Sequence, residues 1–140
     1  MTTTDMKMKM MIMYLLTMIM NFFYPKPKVI RRRKYEKMDA IELYTINKLN
    51  KYFKKHKLKG WNYLISKQLT SSGANCNYTK KLIKISHKYI HRATKKEIKN
   101  TILHEIAHAL TPKQHHNKVW KKMAISIGCN GKRCHRVNMR

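Results

Sequence analysis

Apolar residues recur at helical spacing in two long stretches of the chain. The first stretch begins after Asp39, a residue type that caps helix N-termini, and continues to about His56. The second begins after Thr94, whose spacing from Glu97 matches a capping box, and continues to about Leu110. Both predicted helices therefore have a defined start, and the apolar spacing gives each one a buried face.

Shorter segments between these helices alternate between apolar and polar side chains. The alternation favours strands over Trp61–Leu69, Cys76–Tyr78 and Leu82–Ile90, and Ser71-Ser72-Gly73 is typical of a turn. These segments predict a short antiparallel sheet.

A last helix is predicted beyond the second long one. Pro112 breaks the helical pattern, and apolar spacing resumes over about Asn117–Ile127 until Gly128, a residue type common just after helices. The order of N-terminal helix, short antiparallel sheet, helix and C-terminal helix predicts an α+β domain over residues 39–140.

Residues 1–38 differ in composition from this domain. Eight of the eleven methionines lie in residues 1–24, and the apolar run 10–24 is shorter than the roughly 20 residues that a spanning helix needs. The following segment 25–37, rich in Pro, Lys and Arg, is typical of an exposed linker. We interpret residues 1–38 as a leader and linker outside the domain. Two alternatives stay open, a disordered leader and a weak membrane anchor with the C-terminal part in the cytoplasm.

The charge is strongly unbalanced. Lys and Arg number 32 against 6 acidic residues, a formal net charge of +26. Such an excess favours a polyanionic partner, and non-specific DNA binding is the first expectation. A strongly A+T-rich coding sequence would give a similar Lys- and Asn-rich composition without selection for DNA, so both interpretations remain open.

The cysteines indicate a cellular compartment. Cys76, Cys129 and Cys134 form an odd set without the density of a disulfide framework. We therefore expect a reducing, intracellular location.

One short motif in the second helix carries catalytic chemistry. His104 and His108 stand four residues apart, so that both imidazoles lie on one helix face and can reach the same cation. Glu105 lies close enough to an open coordination position to take a proton from a bound water. Two histidines and a glutamate in an apolar helix are costly without a ligand. A pair of core histidines satisfied by hydrogen bonds is the competing interpretation.

A catalytic zinc ion needs a third protein ligand, and the residues alone leave its identity open. No acidic residue follows Glu105, which excludes a downstream carboxylate. The metzincin pattern requires Gly and His at positions occupied by Thr111 and Gln114, so that pattern is excluded too. The remaining downstream candidates are His115, His116, Cys129, Cys134 and His135.

The stretch Leu103–Leu110 (LHEIAHAL), followed by His116–Trp120 (HNKVW), resembles the SprT-like (Spartan-type) zinc metallopeptidase domain. Gly60-Trp61, the turn at Gly73 and Lys84-Ile-Ser86 also follow the family's order, so the resemblance covers about residues 39–134. The resemblance implies a small zincin-like fold and selects His116 as the third zinc ligand, because it stands four residues before Trp120.

The chain departs from the family pattern in three respects, one of which is a short loop between His108 and His116. Asn117 stands where the family usually has Gly. Cys129 and Cys134 have neither the CxxC spacing nor the four ligands of the zinc ribbon often found in the family, so we interpret them as structural or incidental.

The resemblance implies a zinc-dependent endopeptidase that acts on protein, including protein attached to DNA. His104, His108 and His116 would hold Zn²⁺, and Glu105 would be the general base. His115 and Tyr78 are candidates for stabilising the oxyanion. The alternative is a basic nucleic-acid-binding module with a structural zinc site and no peptidase activity, for which Glu105 would not be required.

Overall fold

The structure, a computed structural model, describes residues 3–23 and 38–133. Within these ranges the chain forms eight elements, in order α1 (Thr3–Phe23), α2 (Ala40–Lys55), β1 (Asn62–Ser66), β2 (Ala74–Asn77), β3 (Leu82–Ser86), α3 (His87–Ile90), α4 (Lys95–Leu110) and α5 (Lys118–Ser126). Helices and a small three-stranded sheet occur together, which confirms the predicted α+β class. The predicted linker over 25–37 and the residues Cys134 and His135 lie outside the described ranges.

The N-terminal cap of α2 matches the sequence prediction. Asp39 Oδ1 accepts hydrogen bonds from the backbone N–H groups of Ile41 at 3.0 Å and Glu42 at 2.9 Å, while Glu42 Oε2 accepts from the Asp39 N–H at 3.3 Å. This reciprocal pair satisfies donors that a helix start otherwise leaves open. The helix then buries Leu49 and Phe53 in the core and packs against α4.

The sheet is mixed, so the prediction that it is antiparallel is wrong for one of its two strand pairs. The strand order is β1-β3-β2, in which β2 pairs antiparallel and β1 pairs parallel with β3. Ile83 and Ile85 of β3 are fully buried, whereas alternate residues of the polar strand β2 are exposed. The most apolar strand therefore takes the centre, and the polar strand takes an edge. The seven-residue connection 67–73 carries the chain past the central position.

The strand predicted over Leu82–Ile90 ends at Ser86, where a short helix begins. Ser86 Oγ accepts a hydrogen bond from the Tyr89 N–H at 3.3 Å and donates to the Leu69 carbonyl at 2.6 Å. The Tyr89 ring lies against the backbone of Gly73, where an added Cβ would come within 3.0 Å of the ring. A larger residue at position 73 would therefore have to displace the Tyr89 ring, and the Ser86 cap turns the chain from β3 into α3.

The fold centres on α4. This helix packs against α2, α5, β2 and β3, and its cap is the predicted box, with Glu97 Oε2 accepting from the Thr94 N–H at 2.7 Å. Ten of its sixteen residues are buried: Ile98, Thr101, Ile102, Leu103, His104, Glu105, Ile106, Ala107, His108 and Ala109. A helix so enclosed holds its polar side chains in fixed positions, which suits a metal or catalytic site.

The helix α1 exposes most of its large apolar side chains. Met10, Met11, Met13 and Tyr14 are each at least 65% exposed. In the part of the chain that the structure describes, no helix combines the length and the apolar character needed to cross a membrane.

We expect a chain that begins at Met38 to fold with the stability of the full chain. The exposed side chains of α1 bury little apolar surface, and apolar burial is the main contribution that its removal could take away. The thermal midpoint should change by less than about 4 °C, the shift that about 1 kcal/mol produces in a domain of this size. A larger fall would show that residues 1–37 pack on the domain.

Candidate metal centre

Two turns of α4 present imidazole rings on the same face. His104 and His108 are 8% and 9% exposed, and their ring centroids lie 5.0 Å apart. The helix ends directly after them at Thr111, whose hydroxyl donates to the Ala107 carbonyl at 2.6 Å. The chain therefore turns away from α4 just beyond the second histidine.

The loop 111–117 brings a third histidine back over this face. The loop is closed by two backbone hydrogen bonds, from Gln114 N–H to the Thr111 carbonyl and from Asn117 N–H to the Gln114 carbonyl. Lys113 and His116 have left-handed backbone angles, with φ of 65° and 59°. Such angles cost a non-glycine residue of order 1–3 kcal/mol, and the packing of the loop must compensate for this strain.

The three Nε2 atoms converge on one point. His116 Nε2 lies 2.9 Å from His104 Nε2 and 2.9 Å from His108 Nε2. A neutral imidazole Nε2 carries either one proton or one lone pair, so one linear hydrogen bond can satisfy only one of the two contacts of His116. Nitrogen ligands of a tetrahedral zinc ion lie about 3.3 Å apart, from Zn–N bonds of about 2.0–2.1 Å. The donor set therefore fits a cation shared by three rings.

Trp120 of α5 packs against all three histidines of this cluster. The indole is 1% exposed, and its ring centroid lies 4.7 Å from that of His104, 5.1 Å from that of His108 and 4.5 Å from that of His116. All three imidazoles contact one rigid buried side chain. Trp120 thus anchors α5 and restricts the orientations of the three rings.

The chain matches one protein family over most of its length. A sequence model of the SprT-like family matches residues 43–139. The chain belongs to the SprT-like family. No curated protein matches it significantly.

The structure gives the positions of the histidines and of Asn117, which the sequence analysis singled out. The structure brings His104, His108 and His116 together, while the neighbouring His115 is exposed. Asn117, which replaces the usual Gly of the SprT-like pattern, caps α5, since its Oδ1 accepts from Val119 N–H at 3.0 Å and Trp120 N–H at 3.1 Å. The substitution is therefore compatible with the same loop and helix.

Burial keeps two imidazoles of the cluster, those of His108 and His116, neutral at pH 7. Desolvation, followed by the positive charges of His116 and His115, lowers the pKa of His108 to about 4. Desolvation also lowers the pKa of His116, with Arg133 and His115 contributing. At pH 7 both rings offer lone pairs rather than protons, which is the state that a metal ligand needs.

Glu105 is buried beside the histidines on α4. It is 7% exposed, and desolvation raises its pKa to about 8. Desolvation is the main cause of the raised pKa values of Cys76 and Tyr78, and the negative charge of Glu105 raises both further. An acidic group in such a setting can hold or release a proton near neutral pH.

Of the two candidates for stabilising an oxyanion, Tyr78 lies beside a histidine of the cluster, whereas His115 is exposed. The Tyr78 hydroxyl lies 3.5 Å from His108 Nδ1, a long contact. If His108 Nε2 faces the cation, its Nδ1 carries the proton and donates to this hydroxyl. The hydroxyl therefore helps to orient a ring of the cluster.

The prediction of a strand over Leu82–Ile90 missed a second cluster of ligand-type side chains. His87 and His91 are four residues apart, the same spacing as His104 and His108. On a strand, this spacing separates two side chains by about 13 Å, whereas on a helix it brings them together. The structure has a helical turn there, and it groups both histidines with Asp39. The spacing itself was the signal that could have revealed the group.

Proposed function

We propose that the protein is a zinc-dependent metalloendopeptidase of the SprT-like type. The observation that supports this proposal most is the convergence of three imidazoles, two of them on a helix that also buries Glu105. Membership in the SprT-like family supports the same reaction class. Imidazole ligands suit zinc among the available divalent metals.

His104, His108 and His116 would hold the ion, and Trp120 would fix their orientation. A bound zinc ion supplies Lewis acidity toward a carbonyl oxygen and lowers the pKa of a bound water. Three protein ligands are the number that leaves one position open for water or substrate.

Glu105 would act as the general base. Its carboxylate accepts a proton from the attacking water as the water oxygen bonds to the carbonyl carbon. It then returns the proton to the nitrogen of the leaving amine as the C–N bond breaks. Burial of Glu105 excludes bulk water, so the proton stays in the site until it is transferred.

Digestion of casein or histone tests this proposal. We expect the full chain to cleave the protein substrate, to stop when a chelator removes the metal and to recover when zinc is restored. Fragments would be followed on gels and by mass spectrometry. Cleavage that persists in excess chelator would contradict a metal-dependent reaction.

The charge of +26 favours substrates that are associated with DNA, and it also favours the alternative function of a nucleic-acid-binding module. The acidic side chain of Glu105 argues for the enzyme, because a purely structural zinc site needs no buried carboxylate beside its ligands. Protein attached to DNA is therefore the substrate class that we propose.

We expect DNA binding that is largely independent of sequence and strongly dependent on salt. If several Lys and Arg side chains contact phosphates, affinity should fall on the order of 10³-fold between 50 and 200 mM salt. Fluorescence anisotropy with two unrelated duplexes measures this slope. A flat salt dependence, or no binding at 50 mM, would favour coding bias as the origin of the charge.

A further inference from the structure

A second cluster of ligand-type side chains lies where α3 meets the start of α2. Asp39, His87 and His91 each offer one ligand atom, and these atoms lie within 4.8 Å of one another. Glu42 joins them, because its Oε1 lies 3.3 Å from His87 Nε2. The cluster thus contains two imidazoles and two carboxylates, drawn from segments that are about 50 residues apart in sequence.

Each carboxylate divides its two oxygens between two tasks. Asp39 Oδ1 and Glu42 Oε2 take part in the capping box of α2. The other oxygen of each faces a histidine, with Asp39 Oδ2 at 2.5 Å from His91 Nε2 and Glu42 Oε1 at 3.3 Å from His87 Nε2. The capping box therefore fixes the positions of both outward oxygens, as outer hydrogen bonds do for metal ligands.

The tautomer of His91 is set by the backbone. His91 Nδ1 lies 2.8 Å from the His87 carbonyl oxygen, which can only accept, so Nδ1 carries the proton. In the neutral ring, Nε2 then presents a lone pair to the Asp39 carboxylate. Two lone pairs at this distance repel each other unless a cation lies between or beside them. A proton on His91 is one such cation, and a metal ion is the other.

The rest of the chain makes this grouping unusual. The sequence has 6 acidic residues against 32 basic ones, yet two of the six meet two histidines here. Glu42 is 6% exposed.

We propose that Asp39, His87 and His91 bind a divalent transition-metal ion of the zinc class, in a site separate from the three-histidine centre, with Glu42 beside His87. Two imidazole nitrogens and one carboxylate oxygen are ligands that zinc accepts. The ion would join the start of α2 to α3 and so tie two segments that are distant in sequence.

Metal stoichiometry of the full chain tests this proposal. The protein is stripped with a chelator and then titrated with Zn²⁺ by equilibrium dialysis, and with Co²⁺, whose visible absorption reports tetrahedral coordination. We expect two equivalents in the wild type. His116→Ala should lose one equivalent and keep the other, so the two sites are distinguished without any measurement of activity.

Two variants address the second site. Asp39→Asn keeps the cap of α2, because Asn caps helices as well as Asp, but it replaces the outward oxygen by an amide group. His87→Gln removes a nitrogen ligand and leaves the cap unchanged. Each should weaken the second equivalent by at least about 100-fold, because even the loss of an outer partner costs about 10- to 100-fold. His56→Gln, a matched control at a half-buried histidine elsewhere, should keep both equivalents.

The proposal fails if the wild type, Asp39→Asn and His87→Gln bind the same number of zinc ions with the same affinities. In that case a proton on His91 is the cation of this cluster. Circular dichroism of each variant shows that any loss of metal occurs in a folded chain.

Discussion

Replacing His116 by Ala should empty the three-histidine centre and abolish peptide hydrolysis. His116 Nε2 is the atom that lies 2.9 Å from both other ligand nitrogens. Without it, only the imidazoles of His104 and His108 remain to bind the ion. Zinc affinity should fall by more than about 100-fold, beyond the range that loss of an outer partner causes. The measurement is zinc content after dialysis against a weak chelator, together with peptide cleavage.

His115→Ala is the matched control for this prediction. His115 is adjacent in sequence but exposed, so its removal should leave the zinc content unchanged and at most lower the rate. The reverse result, with zinc lost from His115→Ala and kept by His116→Ala, would show that the family pattern assigns the wrong histidine as the third ligand. If both variants keep zinc, Cys129, Cys134 or His135 supplies the ligand.

Replacing Glu105 by Gln should leave the metal in place and remove activity. Gln has nearly the same shape but cannot accept a proton, and general-base catalysis contributes about 10²- to 10⁴-fold to a rate. The zinc content should equal that of the wild type, because Glu105 transfers protons and does not ligate. Rates of peptide cleavage at saturating zinc measure the effect.

The stability of Glu105→Gln should equal or exceed that of the wild type when both lack metal. Burial raises the pKa of Glu105 to about 8, so the folded state disfavours its charged form and loses stability as pH rises above the pKa of the unfolded chain. Gln is uncharged at every pH, so the variant does not lose folding stability through ionisation at this position. Thermal melts at pH 7 and pH 9 should show the variant gaining over the wild type as pH rises.

Glu97→Gln is the matched control on the same helix. Glu97 belongs to the capping box of α4, a position where Gln serves as well as Glu. This variant should keep both metal and activity. A similar loss of rate in Glu97→Gln and Glu105→Gln would mean that the charge of α4, rather than a proton transfer by Glu105, controls the reaction.

The helices were predictable because their signals are local. Asp39 with Glu42, and Thr94 with Glu97, form capping boxes that mark the starts of α2 and α4. The i,i+4 spacing of His104 and His108 depends only on helix geometry. The approach of His116 was not local, since it depends on left-handed residues in the loop 111–117, and only the family resemblance selected it.

The sheet and α3 were less predictable because tertiary packing decides them. The central position of β3, and with it the parallel pairing to β1, depends on tertiary packing that buries Ile83 and Ile85. The end of β3 depends on Ser86, whose hydroxyl bonds to Tyr89 and Leu69. Alternation alone continued the strand to Ile90, and it thereby separated His87 from His91.

X-ray absorption at the zinc edge tests most directly whether the three-histidine centre is catalytic. The sample is the full chain carrying Asp39→Asn, loaded with one equivalent of zinc so that the second cluster does not contribute. We expect three imidazole nitrogens and one oxygen from water, all at about 2.0–2.1 Å, which is an open site. A sulfur ligand at about 2.3 Å, or a fourth protein ligand in place of water, would contradict a peptidase centre and indicate a structural zinc site.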